Sequence, residues 1–116
     1  MVWEVEYYET IRGDRPVKDF VDNLPLEARG KVAAVIDVLK EFGTMLGMPH
    51  ARKLMGTELW ELRTGGKNAS RILYVAKMGR KFLLLHAFLK KTDKTPEKEI
   101  DLGLRRLMDY RSRLTL

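Results

Sequence analysis

The sequence contains no cysteine. That absence excludes a disulfide framework, a thiolate metal site and a cysteine nucleophile, and it fits a reducing compartment. No apolar run is long enough to span a bilayer, since the segment FLLLHAFL (residues 82–89) breaks at Lys90. The opening stretch MVWEVEYYET carries acids and alternation where a signal peptide needs a positive flank and an apolar core. There is no repeat, no low-complexity linker and no convergent set of carboxylates to hold a metal. These absences lead to the expectation of a soluble cytoplasmic protein with no membrane partner and no cofactor.

What is present is enough for one domain and too little for two. The chain has 116 residues, 45% of them hydrophobic and 33% charged, a globular composition. A single domain over residues 1–116 is expected. The net charge of +6 is distributed unevenly. From Arg52 to Lys94 there are 11 lysines and arginines against 3 acids, whereas residues 1–51 carry 6 against 9. A segment with most of the positive charge points to a polyanion, with nucleic acid first.

Periodicity supplies the elements. Residues 2–8 alternate and predict a strand with Trp3, Val5 and Tyr7 on one face. Gly13-Asp14 reads as a turn, with Asp14 capping a short helix that opens near Pro16. A second helix restarts at Pro25 with Leu26, Val32, Val35, Ile36, Leu39 and Phe42 as its apolar stripe, ending at Gly43 and Gly47. Strands are predicted over 59–64, 70–77 and 81–90, with a loop at Gly65-Gly66 and a turn at Met78-Gly79-Arg80. A final helix is capped by Thr95 and opens at Pro96, with Ile100, Leu104, Leu107 and Met108 inward and Arg105, Arg106, Arg111 and Arg113 outward. The reading is α+β in the order β-α-α-β-β-β-α, a small antiparallel sheet with helices packed on one face and the other face open.

Strand alternation sorts side chains onto that open face. Arg63 on the first meander strand, Arg71 on the second, and His86, Phe88 and Lys90 on the third fall together, with Lys91 and Lys94 at the rim. A bulge in any strand would change this grouping. Such a cluster suits RNA cleavage, in which a 2′-hydroxyl attacks its own phosphate. A base must take the hydroxyl proton, cations must hold the phosphate oxygens, and an acid must protonate the leaving oxygen. Arginine grips two phosphate oxygens, histidine titrates near neutrality, and Phe88 can stack an unpaired base. Catalytic candidates are Arg63, Arg71, His86 and Lys90, and RNA-binding candidates are Phe88, Lys91 and Lys94. Tyr110 is a weaker candidate for proton transfer. A buried, hydrogen-bonded histidine is the ordinary alternative for His86, and Trp3 and Trp60 read as core.

The segments LWELR (59–63), SRILYV (70–75) and LLLHAFLKKTDKTPEKEI (83–100) resemble the RelE/HigB superfamily of type II toxins, in its phage-derived HigB-like branch. The most specific piece is the run from His86 to Pro96. The resemblance implies a RelE-like fold and a ribosome-dependent mRNA endoribonuclease. It also implies a helix-turn-helix, HigA-like antitoxin as partner. By position it carries a phosphate-contacting role to Arg71 and basic roles to Arg63, Lys90 and Lys91. Two other functions remain open at this point: a ParE-like gyrase inhibitor of the same fold, and an RNA-binding module without catalysis.

Overall fold

The computed structural model describes residues 2–114. The elements are β1 (Glu4–Tyr7), α1 (Pro16–Asp22), α2 (Leu26–Phe42), a 3-10 turn (Gly43–Met45), β2 (Ala51–Lys53), β3 (Trp60–Arg63), β4 (Ser70–Lys77), β5 (Lys81–Leu89) and α3 (Glu97–Leu114). The α+β class holds. No helix among the described residues is long and apolar enough to cross a membrane.

The expected antiparallel meander is present as β3, β4 and β5, and the rest of the sheet departs from expectation in two ways. Its order is β1-β5-β4-β3-β2, and β1 runs parallel to β5, so the sheet is mixed rather than antiparallel. Two helices carry the chain between β1 and the rest of the sheet, and this long connection lets β1 join the far edge in parallel. The strand β2 has no counterpart in the sequence reading. It is three residues long, reads Ala-Arg-Lys and has no alternation to reveal it. Its pairing with β3 places Arg52 opposite Glu61.

The helices occupy both faces, which corrects the one-face expectation. Val17 and Val21 of α1 and Val32, Val35, Ile36 and Leu39 of α2 pack on Leu62, Ile72, Tyr74, Phe82 and Leu84. On the other face, Leu107 of α3, flanked by Ile100 and Leu104, covers Leu59, Leu73, Val75, Leu83 and Leu85. Gly103 lets α3 approach closely, since a Cβ there would lie 3.1 Å from Leu73 and 3.2 Å from Leu59. A sheet apolar on both faces requires a cover on both. The doubly apolar run in β5 (Phe82–Leu85, all buried) is the sign of it.

A bulge in β5 sets which residues share a face. Leu73 pairs with His86 but Tyr74 pairs with Leu84, leaving Leu85 as the extra residue. Phe82 and Leu84 therefore face α1 and α2, while His86 and Phe88 face the α3 side. Plain alternation would put all four on one face. The extra residue leaves its carbonyl outside the ladder, and Arg106 of α3 donates to it at 3.0 Å.

Helix ends differ from expectation in detail. Asp14 does not cap α1; its amide donates to Thr10 Oγ1, and Arg15 stands at the cap position without a side-chain bond. Leu26, Phe42 and Met108, expected in buried stripes, are exposed. The first two sit at the ends of α2, beyond the reach of the sheet. The turn after α2 depends on Gly43, whose φ of +59° and close approach to the Trp3 indole leave no room for a side chain. Trp3 in turn stacks on Phe82 with ring centroids 4.6 Å apart.

These contacts predict opposite effects at two glycines. Gly43→Ala should lower stability by more than ~1 kcal/mol, through strain and the displaced indole. Gly30 is mid-helix, and a methyl group added there would meet no atom within 4 Å. Gly30→Ala should therefore gain roughly 0.5–1 kcal/mol. Urea unfolding of the two variants checks both signs.

Candidate functional site

Glu61 lies on the α3 side of β3 and is only 1% exposed. A buried carboxylate is costly unless it is paired and hydrogen-bonded. Three arginines meet it: Arg52 Nη2 at 3.1 Å, Arg63 Nε at 3.7 Å and Arg71 Nε at 3.9 Å. The Thr95 hydroxyl donates to its second oxygen and accepts from Arg52 at 3.3 Å. Thr95 is thus spent on Glu61 and is not the free cap expected for α3. Register explains the convergence, because Arg63 pairs with Arg71 and Arg71 with Phe88 in adjacent strands.

Arg63 and Arg71 of the expected cluster are therefore co-facial, but their guanidiniums do not lie on an open surface. Arg71 is 5% exposed, and its Nη1 donates to the Thr64 carbonyl at 2.8 Å and the Ser70 carbonyl at 2.9 Å. Burial and the neighbouring Arg63 lower its proton affinity, while Glu61 raises it. An arginine keeps its charge under such conditions. Arg63 reaches Met48 Sδ at 3.5 Å and lines a depression with His50, Thr64 and Gly65. Arg71 lines that depression too, and also a separate cleft of about 190 Å³ beneath the β5–α3 connection.

This cleft gathers most of the remaining sequence candidates. Arg71 and Glu61 are at its floor, Phe88 is in its wall, and Lys91, Lys94 and Lys98 stand around its mouth with Asp93 and Glu99. Lys90 is not among its lining residues. It pairs with Asp93 at 3.2 Å, because β5 ends at Leu89 and strand alternation no longer places the next side chain. Leu89, expected in the core, is 40% exposed at the cleft edge. Among the described residues, no group of three or more histidine, cysteine or acidic side chains is arranged to hold a metal.

His86 sits behind this cleft, 8% exposed and stacked on Phe88 at 5.5 Å. Both ring nitrogens are engaged. Arg106 donates to Nδ1 at 3.2 Å, so Nε2 carries the proton and donates to Glu99 Oε1 at 2.9 Å. Burial is the main cause that lowers its proton affinity; Arg106 acts the same way, and Glu99 opposes both. Tyr110 is elsewhere, bonded to Lys77 beside Glu6. The residues that sequence reasoning misses are Arg52, Glu99 and Arg106. Arg52 is hidden in the unrecognised β2. Arg106 reads as an outward residue of α3, and Glu99 stands out only for its place near the helix start.

Two consequences can be measured. Glu61→Gln removes the anion that three guanidiniums share and should destabilise the fold by about 3 kcal/mol, read from urea unfolding. His86 takes a proton less readily in the folded chain than in the unfolded one, whose ordinary value is ~6.5. Its contribution is therefore complete above pH ~6.5 and is lost as pH falls through the lower folded value. The melting temperature should drop between pH 7.5 and pH 5.5, and His86→Gln should flatten that drop.

Comparison with known sequences adds a family to this geometry. No curated protein matches the chain significantly. The family model described as phage-derived protein, Gp49-like, matches residues 19–108, from within α1 to within α3, and so spans every residue of the cleft. The chain belongs to this Gp49-like family of phage-derived proteins, within the RelE toxin-like group.

Proposed function

We propose that this chain is the toxin of a type II toxin–antitoxin pair and cuts mRNA held on the ribosome. The reaction is attack of a ribose 2′-hydroxyl on the adjacent phosphate, leaving a 2′,3′-cyclic phosphate and a 5′-hydroxyl. One observation carries the reading: a charged guanidinium, Arg71, forms the floor of a cleft ringed by Lys91, Lys94 and Lys98 and walled by Phe88. Lysines at the mouth attract a phosphate chain, the arginine below stabilises charge on nonbridging oxygens, and the phenyl ring stacks an unpaired base. Arg63, in the adjoining depression, extends the basic track beyond the cleft. The pairing of Arg71 with two carbonyls and Glu61 holds its fork in place before substrate arrives. A HigA-like helix-turn-helix antitoxin is the partner this reading implies.

A second reading, a non-cleaving binder of RNA or a gyrase inhibitor of the same fold, is favoured by one feature. His86 has both nitrogens occupied and cannot take a substrate proton as it stands.

A purified translation system separates the two. The nuclease reading predicts mRNA fragments with 5′-hydroxyl ends when ribosomes and this protein are both present, and Arg71→Lys, which loses the fork, should slow their appearance by roughly 10-fold or more. Intact mRNA with the wild-type protein would reject it. RNA binding should weaken steeply with salt. Lys91→Ala with Lys94→Ala should flatten the log–log slope by about 0.7 for each phosphate contact removed, and an unchanged slope would place the phosphates elsewhere.

A further inference from the structure

Three carboxylates line the cleft, and their surroundings differ. Glu61 is buried, with Arg52 hydrogen-bonded to one oxygen and Thr95 to the other, and with Arg63 and Arg71 at ion-pair distance. Asp93 has a side chain 97% exposed and pairs with Lys90. Glu99, in the first turn of α3, has a side chain 20% exposed. Its Oε1 accepts from His86 Nε2, and its Oε2 has no hydrogen-bond partner among the described residues. The imidazole is itself fixed by Arg106, which is anchored to the bulge carbonyl of Leu85.

We propose that Glu99 is the proton acceptor of this site, with His86 as its positioning residue. The inference rests on the nuclease reading above. Glu99 Oε2 takes the proton of the ribose 2′-hydroxyl as that oxygen bonds to phosphorus. The phosphorus–5′-oxygen bond breaks, the leaving oxygen takes a proton from water at the cleft mouth, and Glu99 returns its own to solvent. The sum is one proton moved from the 2′-oxygen to the 5′-oxygen, with no oxidant, reductant or second substrate. A carboxylate suits the task because its second oxygen is open to accept, while both nitrogens of His86 are engaged and Nε2 is already donating. The relay of Arg106 to His86 to Glu99 fixes one oxygen of a side chain that lines the cleft and leaves the other without a hydrogen-bond partner among the described residues. A shorter side chain on a helix is more narrowly placed than a lysine on the solvent-exposed rim.

The test uses the full chain in the purified translation system. Glu99→Gln keeps an oxygen for His86 to donate to, so it should fold and bind ribosomes and mRNA like the wild type. Its single-turnover cleavage should fall by about 100-fold or more. Glu99→Ala should fall as far, and added formate should restore at least about 10-fold of the loss by entering the vacated space as a carboxylate, with no effect on Glu99→Gln. His86→Asn should slow cleavage without formate rescue, because the native carboxylate is still present. Cleavage by Glu99→Gln within threefold of wild type overturns the inference and leaves the nuclease reading intact, and so does an absence of formate rescue in a folded Glu99→Ala. Wild-type protein that leaves mRNA whole overturns the nuclease reading, and this inference with it.

Discussion

Burying a carboxylate costs several kcal/mol unless opposite charges and hydrogen bonds surround it. In this fold that requirement decides where three strands and a helix meet. Glu61 of β3 draws in Arg52 from β2, Arg71 from β4, Arg63 from its own strand and Thr95 from the entry to α3. Each arginine would repel the others without it. With it, three guanidiniums stand close together, and one of them forms the floor of a cleft. The site is thus a by-product of satisfying a single anion. The basic rim is the feature on which the proposal of a polyanionic occupant rests.

A second constraint acts at the bulge in β5. One extra residue, Leu85, lets the strand contribute Phe82 and Leu84 to one core and His86 and Phe88 to the opposite side. Its freed carbonyl holds Arg106, and Arg106 holds His86. Backbone irregularity, helix placement and the orientation of an acid in the cleft are therefore one connected arrangement. This is the usual setting of a bulge, which re-aims side chains near functional sites.

Much of this is readable in the residues. Periodicity places strand β4 at its observed bounds, α2 within one residue of its own, and the start of α3 within one residue of Glu97. Alternation assigns Arg63, Arg71, His86, Phe88 and Lys90 to one face; the first four are on one face, and Lys90 falls past the end of β5. Alternation alone is an incomplete reason, because the bulge breaks it within β5, and the grouping survives only since His86 and Phe88 lie beyond the extra residue. What the residues do not reveal is set by long-range pairing. A three-residue strand has too little pattern to show itself, and parallel pairing of β1 depends on where two helices return the chain. Which charged residues become buried depends on the cover that α3 provides. Glu61 and Arg71 look like surface residues in an alternating strand, and only the approach of Thr95 and the β5–α3 connection makes them interior.

Amide chemical-shift mapping with a short single-stranded RNA tests the central claim most directly. Perturbations confined to Arg71, Phe88 and the residues 91–99 connection, growing with RNA and weakening with salt, are what a cleft organised by Glu61 predicts. Shifts on the α1 and α2 face instead, or none at millimolar RNA, would contradict it.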